Sequence, residues 1–134
     1  LSPERVSELN SHLMLFYTGI KRTASDIADS YDLQGQKRLL RIMRDMVEEG
    51  LTILNSGRDI TSFGELLHEA WEAKQGLSSK VSNKDVDEIY DQARSAGALG
   101  GKITGAGGGG FMLLFVPPSK RESVRQKLNG LIYV

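Results

Sequence analysis

The sequence GGKITGAGGGGFMLLFV, residues 100–116, places a run of glycines between two apolar segments. Eight of the fourteen positions from Gly97 to Gly110 are glycine, against fifteen glycines in the whole chain. Each glycine costs conformational entropy on folding, so this enrichment is typical of backbone that takes positive φ angles or lets a ligand approach main-chain N–H groups. The flanking residues 99–104 and 111–116 are predicted to be strands. Because the loop is too short for a crossover, these strands are expected to pair antiparallel.

Two known nucleotide-binding patterns do not fit this loop. The spacing Gly105-x-Gly107-x-x-Gly110 matches the dinucleotide fingerprint, but that fingerprint requires a helix after the glycines, and here a strand follows. A Walker A loop is excluded because Lys102 is followed by Ile103 and not by serine or threonine. A wide turn between two strands remains the purely structural alternative, although a tight hairpin needs only one or two glycines.

The outer parts of the chain predict two more strands and two helices. Residues 13–17, LMLFY, and residues 131–134, LIYV, are continuous apolar runs of strand length. Ser2-Pro3 is typical of a helix start, with serine as the N-cap and proline at the first helical position. Residues 22–31 carry apolar side chains at helical spacing and predict a second helix.

Four further helices are predicted in the middle and near the end of the chain. A possible capping box at residues 62–65 opens one helix, Asn83 caps another that ends at Gly97, and Ser119 opens the last. Before them, a long amphipathic helix ends ahead of Gly57. One stripe of that helix consists of Leu40, Met43, Val47, Leu51 and Leu54.

This order of elements predicts an α+β fold. We expect a four-stranded antiparallel, ferredoxin-like sheet with helices packed on one face. Residues 1–134 form one domain in this interpretation, because a chain of this length fits one domain core and not two.

Composition narrows the possible partners. Hydrophobic residues make up 40% and charged residues 25%, as in ordinary globular proteins. Seventeen basic residues balance seventeen acidic ones, so we expect neither a nucleic-acid nor a membrane partner. There is no cysteine, and two histidines, His12 and His68, cannot form a metal site alone. The simplest expected location is the cytoplasm. The start at Leu1, without methionine, suggests a fragment of a longer protein.

The glycine loop resembles a motif of the GHMP family, which is named for its galacto-, homoserine, mevalonate and phosphomevalonate kinases. Residues 102–110, KITGAGGGG, look like the third motif of that family, a loop of the C-terminal domain that faces the active-site cleft. The resemblance covers essentially the whole chain. Residues 15–20, LFYTGI, and residues 66–71, LLHEAW, together with Lys74, are similar to the branch of sugar kinases that act on heptose phosphates.

This resemblance implies an ATP-dependent kinase for a sugar, either heptose or heptose phosphate. It also implies that ATP and magnesium are bound mainly by an N-terminal domain of the same polypeptide, so we assign no catalytic residue and no metal ligand here. Main-chain N–H groups of the loop can point at anionic oxygens at little reorganisation cost. The candidate substrate- and phosphate-binding residues are Thr104, Gly105, Ala106, Gly107, Gly108, Gly109, Thr18, Gly19 and Lys74.

Several candidate residues have plain structural alternatives. Thr104 is also a good strand former, Thr18-Gly19 is a common turn pair, and Lys74 could be a solvated surface charge. Trp71 and His68 are more typical of core or surface packing than of a sugar platform or a base.

Two other functions compete with the kinase interpretation for the whole chain. One is a non-catalytic regulatory module that binds a metabolite on a ferredoxin-like sheet. The other is a dimerisation domain, which would expose an apolar sheet face.

Overall fold

The computed structural model describes residues 1–20, 33–77, 84–104 and 110–134. In chain order, the helices and strands of these residues are α1 (Pro3–His12), β1 (Leu13–Tyr17), α2 (Leu33–Asn55), α3 (Thr61–Leu77), α4 (Lys84–Ala96), β2 (Gly100–Thr104), β3 (Phe111–Phe115), a 3₁₀ turn (Pro118–Lys120), α5 (Arg121–Lys127) and β4 (Ile132–Tyr133). The predicted helix over residues 22–31 and the predicted cap at Asn83 lie outside the described residues.

The four strands form one antiparallel sheet in the order β2-β3-β1-β4. The first strand of the chain therefore lies between the third and the fourth. At the loop end of the sheet, Thr104, Phe111, Tyr17 and Ile132 stand side by side in one row. This arrangement confirms the predicted α+β fold with a four-stranded, ferredoxin-like sheet.

The core lies between the sheet and the helices on one face. Alternate side chains of β1 and β3, which are Met14, Phe16, Met112 and Leu114, are fully buried, as the period of two in a strand requires. They pack in one cluster with Leu128, directly after α5, and with residues of α3, α4 and α5: Trp71, Val86, Tyr90, Ala93 and Val124. Trp71 is a core residue, as its position on the helix predicted.

The opposite face of the sheet is apolar but largely covered. Leu13, Leu15, Tyr17, Phe111 and Leu113 are each half-buried. The dimerisation alternative predicted an exposed apolar face here, and none of these five side chains is exposed.

Helix starts and ends follow local hydrogen bonds. Ser2 caps α1 as predicted, because its hydroxyl accepts from Arg5 N at 3.1 Å. The predicted capping box at residues 62–65 is wrong. Helix α3 begins at Thr61, so Ser62 lies inside it, and the start of the helix is held by Asp59, whose carboxylate accepts from Thr61 N and Thr61 Oγ1 at 3.0 Å each. These two bonds lower the pKa of Asp59. Gly97, at φ +127°, ends α4 as predicted.

Two glycines let α3 lie directly on β2. A Cβ at Gly100 would meet Gly64 O and would lie 2.8 Å from His68 N, both backbone atoms of α3. A Cβ at Gly64 would in turn lie 2.5 Å from the Phe115 ring. Glycine is required at both positions because helix and sheet approach too closely for any side chain between them.

The long helix α2 is present, but its predicted stripe does not face the core. Leu40, Met43, Val47 and Leu51 are exposed, and Leu54 is half-buried. The helix instead buries Gly50 and Ile53, which lie on a neighbouring face of the helix.

No helix in the described part of the chain is both long and apolar enough to cross a membrane.

Candidate functional site

The two ends of the glycine loop are held by the β2–β3 hairpin. Thr104 is the last residue of β2 and pairs with Phe111, the first residue of β3. Thr104 Oγ1 lies 3.4 Å from Phe111 O, which is the long limit of a hydrogen bond. Gly105, Ala106, Gly107, Gly108 and Gly109 lie outside the described residues, so their predicted role in phosphate binding stays a prediction.

Residues directly after β1 form hydrogen bonds with Gly110, the last glycine of the loop. Thr18 N and Thr18 Oγ1 both donate to Gly110 O, at 3.0 and 2.9 Å, and Gly110 N donates to Ile20 O at 3.0 Å. Thr18 Oγ1 also accepts from Ile20 N at 3.1 Å. We call Thr18, Ile20 and Gly110 the loop clip. Three hydrogen bonds join the segment after β1 to Gly110 at the end of the glycine loop, and the fourth, from Ile20 N to Thr18 Oγ1, orients the Thr18 hydroxyl.

The clip depends on two glycines for different reasons. Gly19 has φ +74°, a left-handed conformation that lets the chain turn between Thr18 and Ile20. At position 110 there is no space for a side chain, because a Cβ there would lie 2.9 Å from Thr18 Oγ1 and 3.0 Å from Ile20 O. Of these two candidates, Thr18 hydrogen-bonds Gly110 through its amide and its hydroxyl, and Gly19 forms the turn between Thr18 and Ile20.

An aromatic pair lies in the sheet next to the clip. Tyr17 and Phe111 are opposite each other in β1 and β3, and their ring centroids are 5.1 Å apart. Each ring directly adjoins a clip residue in sequence. This packing gives the loop end a rigid base, since tilted aromatic pairs at this separation stabilise one another.

Helices α3 and α4 form a wall beside the sheet. His68 Nδ1 lies 2.6 Å from Tyr90 OH, and His68 Nε2 lies 3.1 Å from a Glu72 carboxylate oxygen. Trp71 stacks on the Tyr90 ring at 4.4 Å. Burial raises the pKa of Tyr90 to about 12, so its hydroxyl keeps its proton in this hydrogen bond with His68. His68 is thus held in a packed network, in line with its predicted packing role.

The direction of α3 bears on the placement of Lys74. Gln75 donates to Asp87 at 2.7 Å, and His68 contacts Tyr90, so α3 and α4 run antiparallel. Helix α4 ends beside the start of β2. The last turn of α3, with Lys74, therefore lies away from the end of α4.

Comparison with known proteins identifies the chain. Residues 35–133 match the family described as GHMP kinases C terminal. The chain belongs to the GHMP kinase family.

Curated GHMP relatives include sugar kinases. A D-glycero-alpha-D-manno-heptose 7-phosphate kinase from Campylobacter jejuni is 32% identical over 126 residues, which cover 92% of this chain and 37% of that protein. A bifunctional fucokinase/GDP-fucose pyrophosphorylase from Arabidopsis thaliana is 30% identical over 96% of this chain and 13% of its own length. The chain thus spans little more than a third of the first relative and far less of the second.

Solved structures agree on the fold. The crystal structure of the Methanococcus jannaschii mevalonate kinase superposes with a TM-score of 0.76 at 22% identity, covering 100% of this chain and 42% of that one. A putative sugar kinase from Campylobacter jejuni gives a TM-score of 0.59 at 28% identity, covering 99% of this chain and 37% of that one. The first likeness shows the GHMP C-terminal fold.

The described part of this GHMP domain does not provide a metal site. Within residues 1–20, 33–77, 84–104 and 110–134, no three histidine or carboxylate side chains are grouped so that they could hold an ion.

The position of the glycine loop in this GHMP domain could be predicted from the sequence, but the hydrogen bonds that hold its end could not. Gly110 and Ile20 were not candidate residues, yet both hydrogen-bond across the clip. The available signal was the pair Thr18-Gly19 directly after an apolar strand, which indicated a turn without indicating what the turn holds.

Proposed function

We propose that this chain is the C-terminal domain of an ATP-dependent sugar kinase that phosphorylates heptose or heptose phosphate. Support comes from the heptose 7-phosphate kinase of Campylobacter jejuni, which is similar over 92% of the chain. Residues 15–20, which resemble the sugar-kinase branch, supply Thr18 and Ile20 of the loop clip, and the motif at residues 102–110, which resembles the GHMP family, supplies Gly110.

In this proposal an N-terminal domain of the same polypeptide binds ATP and magnesium. The heptose kinase relative is long enough for a further domain, since the chain covers 37% of it. When bound, magnesium neutralises the charge of the nucleotide phosphates. The present domain contributes positioning, and it supplies no catalytic base.

The loop clip is the observation that carries the proposal. Phosphoryl transfer depends mainly on positioning and on electrostatic stabilisation of phosphate oxygens. Main-chain N–H groups of residues 105–109, with the Thr104 hydroxyl, are proposed to border those oxygens. Their alignment requires fixed loop ends, and three hydrogen bonds at Gly110 fix one of them.

Lys74 is proposed to bind a phosphate group on the sugar. Support comes from the resemblance of residues 66–71, with Lys74, to the sugar-kinase branch. Lys74→Met in the full-length protein is expected to raise KM for a heptose phosphate about tenfold and to leave KM for ATP unchanged. Lys127→Met, on the exposed side of α5, is the matched control. An unchanged KM for the sugar phosphate would remove Lys74 from the site.

The proposed activity is tested with the full-length protein and a panel of acceptors. We expect ATP-dependent phosphorylation of heptose or heptose phosphate in preference to hexoses and to mevalonate. The 134-residue chain alone is expected to be inactive. Preference for mevalonate would refute the sugar assignment, and turnover by the isolated chain would refute the proposed division between domains.

The loop clip gives a second test of the same proposal. Thr18→Val removes the hydroxyl but keeps the shape, so one hydrogen bond to Gly110 O and one from Ile20 N are lost. A displaced loop is expected to lower kcat/KM by about tenfold to a hundredfold. Thr18→Ser keeps the hydroxyl and should retain most of the activity. Equal activity of both variants would show that the clip does not serve catalysis.

A further inference from the structure

Helix α2 carries a line of exposed apolar side chains that no described residue covers. Leu40, Met43, Val47 and Leu51 are 66, 43, 62 and 52% exposed. We call these four residues the outer stripe. The other large exposed apolar residues in the described ranges are Leu1, Val6, Ile132 and Val134. Four of the eight large exposed apolar residues in the described ranges therefore lie on one face of one helix. Burying each of these side chains would contribute about 1 to 3 kcal/mol.

The outer stripe is continuous and nearly symmetric about its centre. Its members follow steps of three, four and four residues, which keeps them on one side of an α-helix over a length of about 16 Å. Leucine stands at both ends, and the midpoint of Leu40 and Leu51 nearly coincides with the midpoint of Met43 and Val47. A stripe with this symmetry can pack against an antiparallel copy of itself.

Charges along α2 are sorted by sign. Residues 37–44 contain four basic and no acidic side chains, whereas residues 45–49 contain three acidic and no basic ones. This order opposes the helix dipole, which favours acidic residues near the N-terminus and basic residues near the C-terminus. The sorting therefore does not stabilise the isolated helix.

Ion pairs within the domain do not account for the sorted charges. Arg44 lies 3.7 Å from Asp45, but both side chains are about 70% exposed, at 69 and 71%. Glu49 pairs with Arg58 at 3.0 Å, again with half-exposed side chains. Exposed pairs of this kind contribute little to stability.

We propose that the outer stripe binds a second copy of this chain, with the two α2 helices antiparallel across a two-fold axis. Leu40 then packs against Leu51 of the second copy, and Met43 packs against Val47. Arg44 and Glu48, which flank the stripe on one side, face their opposite charges in the other copy. A parallel arrangement would instead place basic residues on basic ones.

The stripe alone implies a small, reversible interface. One helix pair with four apolar residues on each side falls below the roughly 1,200 to 2,000 Å² of stable complexes. We therefore expect a dimer that forms as concentration rises, with a mass of twice 14.7 kDa.

Complementary charge variants test the proposal in sedimentation velocity experiments on the whole 134-residue chain. Arg44→Glu makes both residues of the flanking pair acidic, and Glu48→Arg makes both basic. Each variant alone is expected to dimerise at least about tenfold more weakly than the parent chain, because like charges meet twice across the two-fold axis. An equimolar mixture is expected to restore association, because every flank charge again meets its opposite.

Controls separate association from folding. Both substituted positions are exposed, and far-UV circular dichroism verifies that each variant remains helical. Arg38→Glu makes the same charge change on the opposite side of α2 and should dimerise like the parent chain. Val47→Glu should abolish dimerisation, since it places a charge within the stripe.

Three results would overturn the proposal. The parent chain could be monomeric at every concentration, the mixture could associate no better than its components, or dimers could survive Val47→Glu. Monomeric behaviour combined with protection of the stripe in a longer polypeptide would assign this face to another segment of that polypeptide.

Discussion

Replacing Gly110 by alanine tests whether the loop clip is held as tightly as its distances indicate. The new Cβ would lie 2.9 Å from Thr18 Oγ1 and 3.0 Å from Ile20 O. In the described part of the chain, positive φ angles occur at Gly19 and Gly97 and not at Gly110. Alanine can therefore adopt the backbone conformation, and the expected cost is steric.

The magnitude follows from the hydrogen bonds that must move. Relief of the contact displaces the Thr18 hydroxyl, which donates to Gly110 O and accepts from Ile20 N. Two bonds at about 1 kcal/mol each give a loss of about 2 kcal/mol. Lower entropy of the unfolded alanine chain returns about 0.5 kcal/mol. We expect the free energy of unfolding to fall by about 1.5 kcal/mol.

Urea denaturation of the 134-residue chain measures this loss as a lower midpoint at unchanged m value. Gly57→Ala is the matched control, because no heavy atom lies within 4 Å of a Cβ at that glycine. Combining Gly110→Ala with Thr18→Ala should cost less than the sum of the two, since the second substitution removes the obstructing hydroxyl. Gly110→Ala with the stability of the Gly57→Ala control would refute the reasoning.

Three further substitutions test packing and ionisation, each by urea midpoints. Gly100→Ala should destabilise the fold by about 3 kcal/mol or more, because its Cβ meets the Gly64 carbonyl of a packed helix; a loss below about 1 kcal/mol would contradict the close approach. Stability should fall from about pH 10 to pH 12, on the order of 2 kcal/mol, because Tyr90 loses its proton first in the unfolded chain, and Tyr90→Phe should abolish that fall. Asp59 stabilises the fold above its ordinary pKa of 3.8 and loses this effect as pH drops through its lowered pKa; Asp59→Asn should flatten this acid dependence, and an unchanged profile would argue against the cap to Thr61.

Strand positions could be predicted from the sequence almost completely. Apolar runs bounded by glycine or proline located all four strands, and β1 was placed at its observed limits. Leu99 and Val116 were each assigned to a strand but lie just beyond β2 and β3. Their backbone amides still donate hydrogen bonds, from Leu99 to Phe115 O at 2.8 Å and from Val116 to His12 O at 2.6 Å. Backbone hydrogen bonding therefore extends one residue beyond each of these strands.

The burial of α2 could not be predicted in the same way. Its apolar residues cover two adjacent faces of the helix, and spacing alone identifies a stripe without saying which stripe meets the core. The inner face contains Gly50, which lies near Phe63 and Leu66 of α3 and permits close packing there. The face that contains the small residue therefore packs against the core. Hydrophobic periodicity does not take the size of the side chains into account.

The cap of α3 and the loop clip were missed for different reasons. Ser62 fits the capping pattern, but Asp59 is a stronger acceptor and already bonds Thr61, so the helix starts earlier. The clip joins positions on different strands, and local patterns carry no information about such pairs. Glycine content alone indicated where the loop lies.

The bond from Thr18 to Gly110 spans 92 positions of the chain, which sets the order in which the domain can assemble. Helices α3 and α4 and the β2–β3 hairpin involve near neighbours, whereas β1 has to insert between β3 and β4 from the other end of the sequence. Forming a contact between residues so far apart in the sequence is slow compared with forming local structure. The anchor of the glycine segment at Gly110 therefore forms only when β1 has been inserted into the sheet.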